Sequence, residues 1–167
     1  ERVSLDIWGW QEAEIQPMQL KNKSQEERKT YLATLNLIDF SITQLGTPEI
    51  ENVMMENKIT KDFALAWTDA PYRRSYSWDI QIGSDLYVVD FKTGTRTLIE
   101  KNVSGSPRLS PEGKYAYWYD SRDSSWVAYD LESKAKVNLT KGISVPFYDE
   151  IHDSPSLPGS YGSEGWL

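Results

Sequence analysis

The chain contains no cysteine and only one histidine among its 167 residues. Without cysteine it cannot form disulfide bonds, thiolate metal sites or cysteine nucleophiles. A serine nucleophile needs a histidine base, so any catalytic triad within this chain would have to use His152. A Gly-x-Ser-x-Gly nucleophile motif is also missing from the sequence. We therefore expect no catalytic residue here and interpret His152 as a surface-loop or hydrogen-bonded structural histidine.

Basic residues and long apolar runs are also scarce. Lys and Arg total 18 against 25 Asp and Glu, which gives a net charge of -7. Because phosphate binding needs clustered Lys and Arg, nucleic acid is not an expected partner. No apolar run approaches the roughly 18 residues of a membrane span, and no charged-then-apolar leader opens the chain. Since the first residue is Glu1, inside a predicted strand at 1–10, we expect the chain to belong to a longer protein.

Aromatic residues are abundant, with seven Trp and ten Tyr. They are typical of strands and of half-buried sheet surfaces. Residues 106–142 show the pattern best: a Ser-Pro-Glu-Gly turn at 110–113 precedes the aromatic run 114–120, and strand-like runs follow at 126–130 and 136–140. Pro and Gly suit successive positions of such a turn. Both faces of the run 114–120 are apolar, so we expect it to lie between neighbouring sheets. Residues 106–142 therefore predict one four-stranded β-propeller blade.

The same hairpin pattern occurs three times, at 31–45, 85–99 and 125–139. Asn36, Asp90 and Asp130 coincide in the three copies, and each side chain can accept hydrogen bonds from a turn. Gly94 suits a positive-φ position in the second copy. Phe40 and Lys134 occupy that position in the other copies, so the three turns need not be identical. Repetition of one supersecondary unit is typical of propellers.

The predicted fold is all-β: a partial β-propeller of about two and a half four-stranded antiparallel blades. We divide one propeller domain, residues 1–167, into a partial blade at 1–46, blades at 47–101 and 102–142, and a connector to a next blade at 143–167. A helical turn is expected only around residues 24–29. A closed propeller needs at least four blades, so open edges here would need covering by missing blades or by another copy.

Two segments carry the candidate contact residues. The polar and aromatic excursion at 70–83 is too long for a hairpin turn, and combinations of arginine and aromatic residues are enriched at interfaces. The second segment lies in the Gly- and Pro-rich region 143–167. Packing against a missing blade or domain is the alternative for both. The candidate residues are Tyr72, Arg73, Arg74, Tyr76, Trp78, Phe147, Tyr148, Asp149 and Glu150.

Two further groups have competing interpretations. The polar side chains of Asp149, Glu150, His152 and Asp153 are possible metal ligands, but we interpret them as a solvated loop and predict neither metal nor cofactor. The paired Trp8 and Trp10 could form a sugar platform, although packing inside a blade is the preferred interpretation.

The sequence resembles a known family. Its Ser-Pro-Glu-Gly-Lys-Tyr turn and the Tyr-Asp-Leu hairpin at 129–131 are similar to the blade repeat of TolB-type propellers and of prolyl oligopeptidase family serine peptidases. The motifs at 6–10, 16–19, 145–150, 161–162 and 165–166 resemble large peptidases of this family from Bacteroidetes-type bacteria, and this likeness covers nearly the whole chain.

The resemblance implies a non-catalytic propeller that gates access of peptide substrates to a C-terminal α/β-hydrolase domain. That domain, which would hold the Ser, Asp and His of the triad, and the remaining blades are the implied partners. A periplasmic or secreted location is also implied. The alternative is a TolB-type propeller that binds a protein or peptide and is not linked to an enzyme. A third class is a carbohydrate-binding module that uses exposed tryptophans.

Overall fold

The computed structural model describes residues 5, 7–55 and 62–166, and these residues form ten β-strands, one α-helix and one short 3₁₀ helix. The elements, in chain order, are α1 (Gln16–Glu26), β1 (Ala33–Leu35), β2 (Ile42–Gln44), β3 (Asn52–Met54), β4 (Phe63–Thr68), the 3₁₀ helix (Arg73–Ser75), β5 (Ser84–Asp90), β6 (Arg96–Val103), β7 (Arg108–Leu109), β8 (Tyr115–Asp120), β9 (Ser125–Asp130) and β10 (Lys136–Asn138).

Strands that follow one another in sequence pair antiparallel in three sheets. β1 and β2 form a two-stranded unit, the first hairpin; β3 to β6 form the central sheet; β7 to β10 form the last sheet. Each four-stranded sheet is a simple meander, which is the topology of a propeller blade. The predicted fold class is thereby confirmed: a mostly β chain in which two four-stranded sheets and half of another correspond to about two and a half blades. The residue boundaries assigned to the blades stay a prediction.

The three hairpins close through one turn conformation. Asp90 Oδ1 accepts hydrogen bonds from the backbone N–H groups two and three residues further on, at 2.8 and 2.9 Å, and Asp130 Oδ1 does the same at 2.9 and 3.0 Å. Asn36 Oδ1 accepts one such bond, at 2.9 Å. The predicted capping role of all three residues is confirmed.

Phe40 and Lys134 adopt the same left-handed backbone as Gly94, with φ of 56°, 58° and 69°. The three turns are nevertheless not identical in their hydrogen bonds, as expected from the change of residue, since Asn36 accepts one capping bond where Asp90 and Asp130 accept two. The asparagine or aspartate cap and the flanking strand pairs hold two residues in a region that usually favours glycine.

The main core lies between the central and last sheets. Leu65, Leu86 and Val88 of the central sheet pack in one cluster with residues of the last sheet, among them Ala116 and Trp118. Trp118 is only 1% exposed and is the largest fully buried side chain. Alternation along β8 places Ala116 and Trp118 on this inner face, as the sequence predicts. Complete burial of a tryptophan makes this interface a major source of stability.

The first hairpin covers the other face of the central sheet. Leu45, which follows β2, is fully buried against Ala64, Ala66 and Val89. Arg96 donates from Nε to the Leu45 carbonyl and from Nη2 to the Gln44 carbonyl, both at 3.0 Å. Aliphatic burial and hydrogen bonds to backbone carbonyls thus join these two sheets.

The C-terminal tail, residues 143–166, covers the outer face of the last sheet. Trp166 stacks on Tyr115 with ring centroids 5.7 Å apart and meets Tyr117 edge-on at 5.2 Å. Trp126 extends the aromatic cluster towards Tyr119 at 5.5 Å. The tail folds onto this face because the tyrosines of alternate β8 positions offer it a continuous aromatic surface. The assignment of residues 143–167 as a connector to a next blade, with a neighbouring sheet on this face, stays a prediction.

Two N-terminal predictions differ from the structure of the described residues. The expected helical turn at 24–29 is the end of the longer helix α1, whose Pro17 occupies the first turn, where a missing N–H is tolerated. The predicted strand at 1–10 falls partly on residues 1–4 and 6, which lie outside the described residues, and its described residues form no strand. Trp8 and Trp10 are 64% and 82% exposed, so they do not pack inside a blade. Within the described part of the chain, no helix has the length and apolar character needed to cross a membrane.

Candidate functional site

The excursion at 70–83 leaves the end of β4 and is fixed at its base by Tyr72. The Tyr72 hydroxyl donates to Asp85 Oδ1 at 2.6 Å, and the Asn102 backbone N–H donates to the same oxygen at 3.1 Å. Burial, followed by the hydrogen bond to Asp85, raises the pKa of Tyr72 to about 12. Tyr72 therefore stays protonated at physiological pH and acts as an anchor of the excursion.

Arg73, the next residue, lies in a chain of ion pairs. Its Nη2 is 2.8 Å from Asp69 Oδ1 and 3.7 Å from Glu51 Oε1. Lys29 Nζ reaches Glu51 at 2.6 Å and Glu26 at 3.0 Å. Burial works against the charge of Arg73, but the hydrogen bond and charge of Asp69 and the charge of Glu51 prevail and raise its pKa. These contacts tie the excursion to α1 and to the start of β3.

A groove of about 790 Å³ lies between α1 and the excursion. Arg73 and Tyr76 line it from the excursion, while Ile15 and Met18 supply apolar surface from the start of α1. Four acidic residues and two basic ones also line it, so its wall carries a net negative charge. The charged residues are Glu14, Glu26, Glu51, Asp69, Lys29 and Arg73. The volume is within the range of ligand pockets, but the wall is more strongly charged than that of a small-molecule pocket, which is lined mainly by apolar side chains.

The other predicted residues of the excursion do not line this groove. The guanidinium of Arg74 lies over the ring of Trp10, 5.8 Å from its centroid, in a cation–π arrangement. Trp78 is 75% exposed. The excursion thus presents two surfaces: the groove beside Arg73 and Tyr76, and an exposed aromatic surface that includes Trp10.

The second predicted set lies in the tail. Phe147 and Tyr148 line a cavity of about 270 Å³ against the β8–β9 turn and the segment after β10. Tyr148 pairs with Ser160 as an isolated β-bridge, and the Asp149 N–H donates to the Gly159 carbonyl at 2.8 Å. The Glu150 N–H donates to the Tyr161 hydroxyl at 3.0 Å. Tyr148, Asp149 and Glu150 thus close the tail into a loop, and the cavity beside Phe147 shares no lining residue with the groove beside Arg73.

His152 is held inside the same loop. Its Nε2 lies 3.1 Å from the Ser156 carbonyl oxygen and 3.0 Å from Ser156 Oγ. Among the described residues, the His152 ring donates no hydrogen bond to a carboxylate, as the orientation of a catalytic triad would require. Asp149 Oδ1 accepts instead from the Ile151 N–H at 3.1 Å. Within the described residues, no group of three or more His, Cys, Asp or Glu side chains is placed to hold a metal ion.

Sequence reasoning identified Arg73 and Tyr76 but missed the opposite wall of the groove. Lys29 and Glu51 belong to segments treated as a connector and as a weak strand, and only the fold brings them to Arg73. Pro17 in the first turn was a usable signal for α1, because proline is favoured at the start of a helix.

Comparison with known proteins gives only structural likenesses. No model of a protein family matches the chain, and no curated protein matches it. The chain is similar to a structure of oligogalacturonate lyase in complex with manganese, with 13% identity and a TM-score of 0.39 over 65% of this chain and 28% of that one. It is also similar to TolB from Acinetobacter baumannii, with 16% identity and a TM-score of 0.41 over 66% and 26%. Both are β-propeller folds, and the chain spans about a quarter of the length of each.

Proposed function

We propose that this chain is a non-catalytic propeller segment of a prolyl oligopeptidase-like serine peptidase that gates substrate access to a hydrolase domain elsewhere in the protein. The sequence motifs described above suggest the family, and the groove beside Arg73 is the observation that carries the proposal. Its partners would be that hydrolase domain, the remaining blades and peptide substrates.

The dimensions and walls of the groove suit a short peptide. A volume of about 790 Å³ falls within the range of ligand pockets and has room for a short peptide. Met18 and Ile15 would contact apolar side chains, whereas the carboxylates would accept hydrogen bonds from peptide N–H groups. Ion pairs occupy both basic residues and three of the four carboxylates, and the excess of carboxylates leaves the groove with a net negative charge. It therefore favours neutral or basic peptides over acidic ones.

Peptide binding by the purified chain tests the groove. Isothermal titration with a neutral and an acidic proline-containing hexapeptide should give tighter binding of the neutral one. Tyr76→Ala should weaken this binding about tenfold, the effect of losing one aromatic contact. Trp78→Ala is the matched control, since Trp78 lies in the same excursion but outside the groove. Equal weakening by both variants, or tighter binding of the acidic peptide, would contradict the proposal.

The link to a peptidase is tested separately. A Gly-x-Ser-x-Gly motif encoded some hundreds of residues downstream supports it, and a complete downstream sequence without a hydrolase domain would exclude it. The purified chain should hydrolyse no prolyl substrate, and measurable hydrolysis would overturn the domain assignment.

A TolB-type propeller that binds a protein or peptide and belongs to no enzyme is the second candidate. The exposed aromatic surface favours it, because Trp10, Arg74 and Trp78 have the composition of an interface core. Under this alternative, Trp78→Ala and not Tyr76→Ala should abolish capture of a protein partner. Because Trp8 and Trp10 are exposed, carbohydrate binding through these rings stays a prediction. Absence of binding on a glycan array would count against it.

A further inference from the structure

A separate cavity of about 300 Å³ lies between the last sheet and the tail. Tyr119 and Trp126 form its aromatic wall, residues 105–108 form one rim, and residues 159–163 of the tail form the other. None of the residues predicted from sequence lines this cavity. It also shares no lining residue with the groove beside Arg73.

Arg108 gives the cavity its charge. It is exposed and pairs across the strands with Tyr117, so its side chain lies on the sheet face that the tail covers. Within the described chain no carboxylate lies within 4 Å of its guanidinium. No Asp or Glu lines the cavity, although the chain as a whole is acidic. An unpaired arginine beside hydroxyl groups has the donors that an anion needs.

The cavity wall formed by Tyr119 and Gly105 is tightly packed, whereas the wall formed by the tail is open. Tyr119 is 6% exposed, and its hydroxyl makes no hydrogen bond of ordinary geometry with any described residue. A Cβ on Gly105 would lie 2.0 Å from the Tyr119 carbonyl oxygen, so only glycine allows the chain to approach there. A Cβ on Gly159 or Gly162 would meet no atom within 4 Å. Gly159 and Gly162 both line the cavity, and Gly159, unlike Gly162 with its φ of 107°, has room for a side chain without backbone strain.

We propose that this cavity binds a small carboxylate with an apolar body, of the size of an amino acid or a dipeptide. The Arg108 guanidinium binds the carboxylate in a fork geometry, and the hydroxyl groups of Ser106 and Ser160 donate to it. The ring of Trp126 packs against the apolar part of the ligand. A cavity of about 300 Å³ has the smallest volume typical of ligand pockets, so it matches a ligand of one or two residues. This inference does not depend on the proposed function.

The test compares alanyl-phenylalanine, its C-terminal amide and inorganic phosphate by isothermal titration against the whole chain. We expect the dipeptide to bind with a millimolar or lower Kd, and the amide and phosphate to bind at least tenfold more weakly. Arg108→Gln should weaken dipeptide binding at least tenfold. Arg28→Gln is the control, because Arg28 is also exposed and lies outside the cavity. Equal binding of the amide, or an unchanged Kd in Arg108→Gln, would overturn the proposal.

A second variant separates the loss of binding from the loss of folding. Gly159→Leu places a side chain in open space and should abolish dipeptide binding with an unchanged melting temperature. Undiminished binding in that variant would exclude this cavity as the site. Absence of dipeptide binding by the unmodified chain up to 10 mM, or phosphate binding as tight as that of the dipeptide, would likewise overturn the proposal.

Discussion

The two four-stranded sheets share an inner interface but have differently covered outer faces. The first hairpin covers the central sheet with regular strands, buries Leu45 completely and accepts hydrogen bonds from Arg96. The irregular tail covers the last sheet through aromatic stacking, and two cavities remain beneath it. A regular hairpin can follow the twist of a sheet closely, whereas a Gly- and Pro-rich tail contacts it at separate points. The irregular cover therefore creates room for a ligand.

Truncation of the inner interface should have the largest effect on stability. Trp118→Ala is expected to lower the free energy of unfolding by about 3–5 kcal/mol, because it leaves a large cavity between the two sheets. Urea unfolding followed by circular dichroism measures this loss. Trp78→Ala, at an exposed site, should change it by less than about 0.5 kcal/mol. A loss of stability in Trp118→Ala no greater than in Trp78→Ala would show that the sheets do not share this core.

Removal of Trp166, which anchors the tail to the last sheet, should lower the free energy of unfolding by less than Trp118→Ala does. Trp166→Ala is expected to lower the free energy of unfolding by about 1–2 kcal/mol, because it removes two ring contacts from a partly exposed side chain. The near-ultraviolet circular dichroism signal of the stacked rings should fall as well. Trp166→Phe should retain most of the free energy of unfolding and most of the near-ultraviolet signal. If Trp166→Ala lowered the free energy of unfolding as much as Trp118→Ala, the outer aromatic face would contribute as much to stability as the core.

The hydrogen bonds between Arg96 and the first hairpin should contribute still less. Arg96→Met keeps the aliphatic stem but removes both donors, and we expect a loss of about 1 kcal/mol after allowing for solvent exposure. Hydrogen exchange should then quicken in β1 and β2 and stay unchanged in the last sheet. Arg28→Met is the control. Faster exchange in both sheets would contradict a local role.

The turn caps should produce the smallest effect, visible only in acid. Hydrogen bonds from the Thr93 and Lys92 N–H groups outweigh burial and hold the pKa of Asp90 below its usual range. Its contribution is therefore present above the unfolded pKa of about 3.9 and is lost as pH falls through the folded pKa. Asp90→Asn should therefore reduce the loss of unfolding free energy that occurs as the pH falls, by less than about 0.5 kcal/mol.

Asn36→Asp is the reciprocal test, since it should introduce the same acid dependence into the first hairpin. Melting temperatures between pH 2 and pH 6 measure both changes. Identical pH profiles for the unmodified chain and the two variants would show that the caps do not contribute to stability through their charge.

Local signals explain most of what the sequence predicted correctly. The hairpins, the capping residues and the alternation along β8 all depend on residues close together in the chain. Helix α1 was underestimated because none of its described side chains is buried, so it has no apolar stripe to reveal it. The fold of the tail depends on Trp166 reaching back some 50 residues to Tyr115, which no periodicity shows.

The candidate site was predictable only in part. Arginine and aromatic residues in a long loop pointed to Arg73 and Tyr76, but the groove exists only because α1 and Glu51 lie opposite them. Arg108 gave no signal, since a single arginine in a two-residue strand has no pattern around it. Its interest as an anion contact comes from having no carboxylate partner among the described residues, which only tertiary structure reveals.

The shared hairpin turn also bears on how further copies of this unit should be recognised. In each hairpin the left-handed residue comes four positions after the capping Asn or Asp, whether it is Phe40, Gly94 or Lys134. A search that demands glycine there would miss two of the three copies. A search for an amide or carboxylate acceptor between two short strands would retain all three. Phe40→Gly and Lys134→Gly then become substitutions that relieve backbone strain without changing the repeat.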